Sequence, residues 1–167
     1  MKYAHAAFTS RYKLINLISY GRVLATVGAV VLGFSGHAFA ALEFFSIKDN
    51  AVIMYDAPSL KADKLYVASR NLPVEAVVKV EGWVKVRDSG GTLAWVEEKE
   101  LSDKRYVIVT APQAEAYQAA NVNSPLVFQA QQNVVMELLE VGANGWVKVR
   151  HRDGQIGYIR TTQVWGS

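Results

Sequence analysis

The chain has 167 residues, 18 Lys and Arg against 15 Asp and Glu, and no cysteine. Lacking cysteine, it has neither a disulfide framework nor a thiol nucleophile, so its stability must come from packed apolar cores. Its formal charge of +3 does not mark a nucleic-acid binder: residues 1–42 hold Lys2, Arg11, Lys13 and Arg22 and no acid, and the rest carries a net −1, whereas a phosphate-binding stripe has to lie in the folded part.

The basic start is followed by an apolar run, Val23–Phe34, which breaks at Ser35-Gly36. Ala38 and Ala40 then supply the small residues that signal peptidase needs at −3 and −1, predicting a signal peptide over 1–40 and cleavage before Ala41. The run is shorter than the roughly 20 apolar residues that cross a bilayer, so no membrane span is expected after cleavage. There is no twin-arginine pair and no cysteine for a lipid anchor. The expected location is periplasmic or secreted.

Beyond the leader the chain repeats itself. Gly82-Trp83-Val84-Lys85-Val86-Arg87 recurs letter for letter as Gly145-Trp146-Val147-Lys148-Val149-Arg150, a shift of 63 positions. At the same shift Gly91 meets Gly154, Trp95 meets Tyr158, Val96 meets Ile159 and Leu101 meets Val164; upstream, after a one-residue slip, Tyr55 meets Tyr117 and Val74-Glu75 meets Met136-Glu137. A tandem duplication follows. It divides the exported chain into domains at 41–103 and 104–167, with charges of −3 and +2 that dock the halves on each other, select different ligands or, more commonly, are solvated surface. Ser102–Arg105 is too short a connection for free movement, which predicts a rigid pair.

In each copy a loop rich in small and polar residues comes first, Asp56–Asp63 and Ala119–Pro125. Apolar runs with β-branched residues follow at Val74–Val80 and Val134–Val141, and two-residue alternation marks strands at Trp83–Arg87, Leu93–Val96 and Ile156–Ile159. Ser89-Gly90-Gly91 and Asp153-Gly154 signal hairpin turns. Gln113–Asn121 has helical composition, but Tyr117 aligns with an extended position in the first copy. The fold class predicted is all-β.

A glycine-tryptophan strand, a glycine-containing hairpin, a small-aromatic-aliphatic strand and a closing Leu or Val resemble bacterial SH3 domains. The first copy carries the resemblance in Val52–Ser59, Leu72-Pro73-Val74, Gly82–Arg87, Ala94-Trp95-Val96 and Leu101; the second, at Tyr117-Gln118-Ala119-Ala120, lacks the proline of Tyr55-Asp56-Ala57-Pro58. The resemblance implies two tandem SH3-like β-barrels, each five-stranded and partly open, of a kind that binds cell-wall peptides or protein segments. It also implies grooves formed by Tyr55, Trp83 and Trp95 in the first copy and by Tyr117, Trp146 and Tyr158 in the second.

Strand alternation sets Val84 and Val86 against Trp83, Lys85 and Arg87, and Val147 and Val149 against Trp146, Lys148 and Arg150. Each tryptophan thus shares a charged face with Lys85 or Lys148, where an exposed indole offers contact area at low entropic cost; packing between barrels is the competing use. A two-residue turn would pair Val84 with Trp95 and bury Trp95, and a β-bulge would restore the groove. Trp165 reads as a plug on the second barrel. Candidate ligand contacts are therefore Tyr55, Trp83, Lys85, Trp95, Tyr117, Trp146, Lys148 and Tyr158.

Catalysis finds no support. His151 is the sole histidine outside the leader, beside a turn, without metal-ligand spacing; no serine sits in a nucleophile elbow, and Glu97–Glu100 reads as a polar edge. The expectation is an exported binding protein without metal or cofactor, its partner a peptidoglycan peptide or an envelope protein segment. The alternative is an adaptor that assembles an envelope complex through the same faces. Burial of Trp83 and Trp146 distinguishes the two.

Overall fold

The computed structural model describes residues 42–167, so the leader and its cleavage site at Ala38, Ala40 and Ala41 lie outside the described residues. No helix among those described is long and apolar enough to cross a membrane. The first sheet is built from β1 (Glu43–Ile47), β2 (Val52–Tyr55), β3 (Lys64–Ala68), β4 (Pro73–Val80), β5 (Trp83–Arg87), β6 (Leu93–Glu97) and β7 (Leu101–Ser102). The second is built from β8 (Tyr106–Val109), β9 (Gln113–Tyr117), β10 (Leu126–Gln131), β11 (Val135–Val141), β12 (Trp146–Arg150), β13 (Ile156–Arg160) and β14 (Val164–Trp165). Each sheet therefore has seven strands, where five were expected; the helical composition of Gln113–Asn121 gives way to strand β9.

The strand orders, β3-β2-β6-β5-β4-β1-β7 and β10-β9-β13-β12-β11-β8-β14, are the same topology twice. Each sheet curls around one core. Ile47, Val52, Met54, Ala68, Val74, Val84, Val86, Ala94 and Val96 fill the first, and residues from β8 to β14 fill the second, among them Val107, Ala116, Met136, Val147, Val149 and Ile159. Both copies shift register at the same places: between Ala76 and Val78 and between Leu138 and Glu140, and again between Met54 and Tyr55 and between Leu126 and Phe128. Such bulges bend a strand and tighten its twist, as closing a small barrel requires.

The one-residue slip in the repeat falls in the turn between the long strand and the tryptophan strand. In the first barrel Val80 pairs with Trp83 around Glu81-Gly82. In the second, Gly142 N–H donates to the Trp146 carbonyl at 2.9 Å, enclosing Ala143-Asn144-Gly145, with Asn144 and Gly145 at φ of 58° and 77°.

Alternation turns Phe44 and Ser46 of β1, and Ile108 of β8, away from their own cores, yet all three are buried. The seam between the barrels covers Phe44 and Ser46. Trp165 meets Phe44 edge to face, with centroids 5.0 Å apart. The Arg105 guanidinium lies 5.2 Å from the Phe44 ring centre and donates to the Gly166 carbonyl at 2.8 Å; burial lowers its pKa from the usual arginine value. Ser46 Oγ donates to the Lys104 carbonyl at 2.7 Å. Trp165 is thus a bridge to the first barrel, correcting its reading as a plug on the second. Every ion pair among the described residues stays within its own charge half.

Candidate functional site

The outward face of β2, β6 and β5 collects the aromatic residues of the first copy. Tyr55 stands opposite Trp95, Trp95 opposite Lys85, and Trp83 opposite Glu97, so all five side chains share one face. The register differs from that of a two-residue turn because β5 and β6 are joined by a five-residue loop, Asp88–Thr92. The Asp88 carboxylate holds the loop by accepting from Gly90 N–H and Thr92 N–H, both at 2.9 Å. Val84 then meets Val96 in the core and Trp95 is turned outward with no bulge between β5 and β6. His151–Gln155 forms the matching loop in the second copy: Asp153 accepts from Gln155 N–H, and this bond, followed by the nearby His151 ring, pulls the Asp153 carboxyl below its usual pKa.

Within the first face Tyr55 packs edge-on against Trp83, with centroids 5.4 Å apart, and Lys85 Nζ lies 5.9 Å from the Trp95 ring centre. Tyr55 is 6% exposed, while Trp83, Lys85 and Trp95 are half-buried. Beside them opens a cleft of about 200 Å³ lined by Asp49, Asn50, Ala51, Val52, Ile53, Tyr55, Glu97 and Glu100. Its rim is acidic. Glu97 is paired with Lys99 at 2.9 Å, which raises the pKa of the exposed lysine.

The second face repeats the plan with different partners. Tyr117 stands opposite Tyr158, Tyr158 opposite Lys148, and Trp146 opposite Arg160. Tyr117 meets Trp146 edge-on at 6.0 Å, and Lys148 Nζ lies 5.7 Å from the Tyr158 ring centre. The Arg160 guanidinium covers the indole of Trp146 at 4.2 Å, and Trp146 is only 3% exposed. The expectation of an exposed tryptophan is thus corrected for Trp146, which is buried on the outer face of its own barrel by Tyr117 and Arg160; Trp83 is half-covered.

The structure thus brings each set of predicted contacts together: Tyr55, Trp83, Lys85 and Trp95 in one barrel, Tyr117, Trp146, Lys148 and Tyr158 in the other. Sequence reasoning missed Asp49, Glu97 and Glu100 at the cleft, and Arg160 over Trp146. A signal was present, because at the shift of 63 Glu97 meets Arg160, a reversal of charge within the repeat. His151 lies with Nδ1 2.9 Å from Asp153 and its ring against Phe128. No group of three or more His, Asp or Glu suited to a metal ion occurs among the described residues.

Residues 48–103 and 110–166 each match the family described as bacterial SH3 domain. No curated protein matches the chain. Among solved structures it is similar to NlpC2 from Trichomonas vaginalis (17% identity over 78% of this chain and 50% of that one, TM-score 0.37) and NlpC1 from the same organism (18%, 78% and 48%, TM-score 0.36). It is also similar to an NlpC/P60 family protein from Bacillus cereus ATCC 10987 (18% identity, 75% and 57%, TM-score 0.34). The chain spans about half the length of these structures.

Proposed function

The chain belongs to the bacterial SH3 domain family through both of its barrels, and we propose on that premise that it is an exported, non-catalytic binding protein that recognises a cell-wall peptide. Bacterial SH3 domains are generally binding modules of extracellular or wall-associated proteins, and many bind peptidoglycan. The observation that carries the reading to this chain is the outward ladder of Tyr55, Trp95, Lys85 and Trp83 beside an open cleft. Half-buried aromatics such as Trp83 and Trp95 are rigid anchors and lose little entropy on binding.

The test is retention of the purified protein on intact peptidoglycan sacculi, with Trp95→Ala as the comparison. Wild type is expected to be retained, and removing a hot-spot aromatic worth about 2 kcal/mol weakens retention by more than tenfold. Failure of the wild type to bind overturns the reading. An adaptor reading draws on one observation, the edge strand β3, whose Leu65 and Val67 are exposed beside unpaired backbone groups of the kind that invite pairing with another chain.

A further inference from the structure

We propose that the two copies have divided the work: the first barrel takes a cationic group of its ligand, an alkylammonium or guanidinium, over Trp83, and the second barrel has closed the same place with its own Arg160. This rests on the reading of the aromatic faces as binding surfaces and adds which barrel binds and what chemistry it selects.

Two independent positions carry it. Trp83 and Trp146 are equivalent residues of the repeated hexapeptide, each directly opposite the last residue of the next strand. In the second barrel that residue is Arg160, and its guanidinium over the indole face is the arrangement that an aromatic ring's negative face favours. In the first it is Glu97, which the same negative face disfavours and which turns instead to Lys99. The site that a cation fills internally in one copy is left half-open in the other, with a carboxylate at its edge.

The second position is the tyrosine. Tyr117 donates its hydroxyl to Glu115, a neighbour that raises the phenol's pKa. In the first barrel Ile53 stands where Glu115 does. The Tyr55 side chain, 6% exposed, lines the cleft and has no acidic neighbour of that kind on its own strand. A ligand ammonium over Trp83 would lie beside Tyr55, which packs edge-on against that indole, and beside the carboxylate-bearing Glu97 across the strand pair. Lys99, the present partner of Glu97, is 67% exposed on a flexible stem, and exposed pairs of this type are weak enough for a ligand cation to displace.

The experiment follows the assigned indole N–H signals of Trp83, Trp95 and Trp146 in ¹⁵N-labelled protein. The probes are an acetyl-Gly-Gly-Lys-Gly-Gly-amide peptide and its norleucine counterpart. The lysine peptide is expected to move the Trp83 signal and leave Trp146 in place, and the norleucine peptide to move neither. Glu97→Arg, which imports the second barrel's lid, is expected to weaken lysine-peptide binding at least tenfold. Arg160→Glu is expected to make Trp146 respond; should that variant not fold, the peptide pair and Glu97→Arg still decide. Equal response to both peptides, or equal response of Trp83 and Trp146 in the wild type, overturns the proposal.

Sacculi with acetylated amino groups separate this proposal from wall binding itself. Retention on untreated sacculi that is lost on acetylation supports both. Retention unchanged by acetylation overturns the cation proposal and leaves wall recognition standing. A response to the lysine peptide without retention on sacculi overturns wall recognition and leaves the cation proposal standing.

Discussion

Two tryptophans in identical hexapeptides have different surroundings, and the difference is one cross-strand partner each. Trp146, 3% exposed beneath Arg160, is a core residue in energetic terms, and Trp146→Ala is expected to destabilise the protein by about 3–5 kcal/mol. Trp83 keeps part of its surface in water, so Trp83→Ala is expected to lose roughly half as much. Urea unfolding of the two variants checks the order, and equal losses would contradict it. This also explains how far the site could be read in advance. Alternation correctly put Trp83, Lys85 and Arg87 on one face, because β5 is covered on its other face by the core. It could not show the exposure of either indole, which is set by Glu97 or Arg160 some 14 residues further on, across a register that depends on the loop length between strands.

The strands that were legible are those with one wet face. Trp83–Arg87 and Leu93–Glu97 alternate cleanly; β1 and β8, reading Phe-Phe-Ser-Ile and Tyr-Val-Ile-Val, do not, because residues on their outward faces are buried as well, and a strand buried on both sides loses its period. The cores hold a subtler difference. In the first barrel β2 carries Met54 and β4 carries Val74; at the matching positions the second has Ala116 and Met136, all buried. The long flexible side chain has moved from one strand to another, keeping the core filled as close packing demands. Gly157, in place of Ala94, fits the same change, since a Cβ there would come within 2.8 Å of the Ala116 Cβ. Met54→Ala is expected to cost about 2–5 kcal/mol, and adding Val74→Met to recover a good part of it. A double-mutant cycle by urea unfolding measures the coupling; simple additivity would mean that the two sites do not share space.

Two barrels behave as one body only if the contacts between them add to the stability of each. A domain of about 60 residues buries only about 60% of its unfolded surface and is marginal by itself, so the seam has to contribute. Its contacts are short-range and largely uncharged: Phe44 against Trp165, Ser46 on the Lys104 carbonyl, and Arg105 over Phe44, anchored in its own barrel by the Gly166 carbonyl. Gly166, at φ +105°, passes so close that a Cβ there would lie 2.8 Å from the Tyr106 carbonyl oxygen and 3.0 Å from Pro73 of the first barrel. The wild type is therefore expected to unfold in one calorimetric transition, with equal calorimetric and van't Hoff enthalpies. Since no ion pair among the described residues joins the charge halves, salt should screen little that holds the barrels together, and the single transition should survive an increase in sodium chloride to about 0.5 M. Trp165→Ala removes the aromatic bridge while leaving the second core's buried residues in place, so it is expected to split the transition in two. Two transitions already in the wild type would show that the barrels fold independently; one transition in Trp165→Ala would assign the coupling to Arg105 and the backbone contacts.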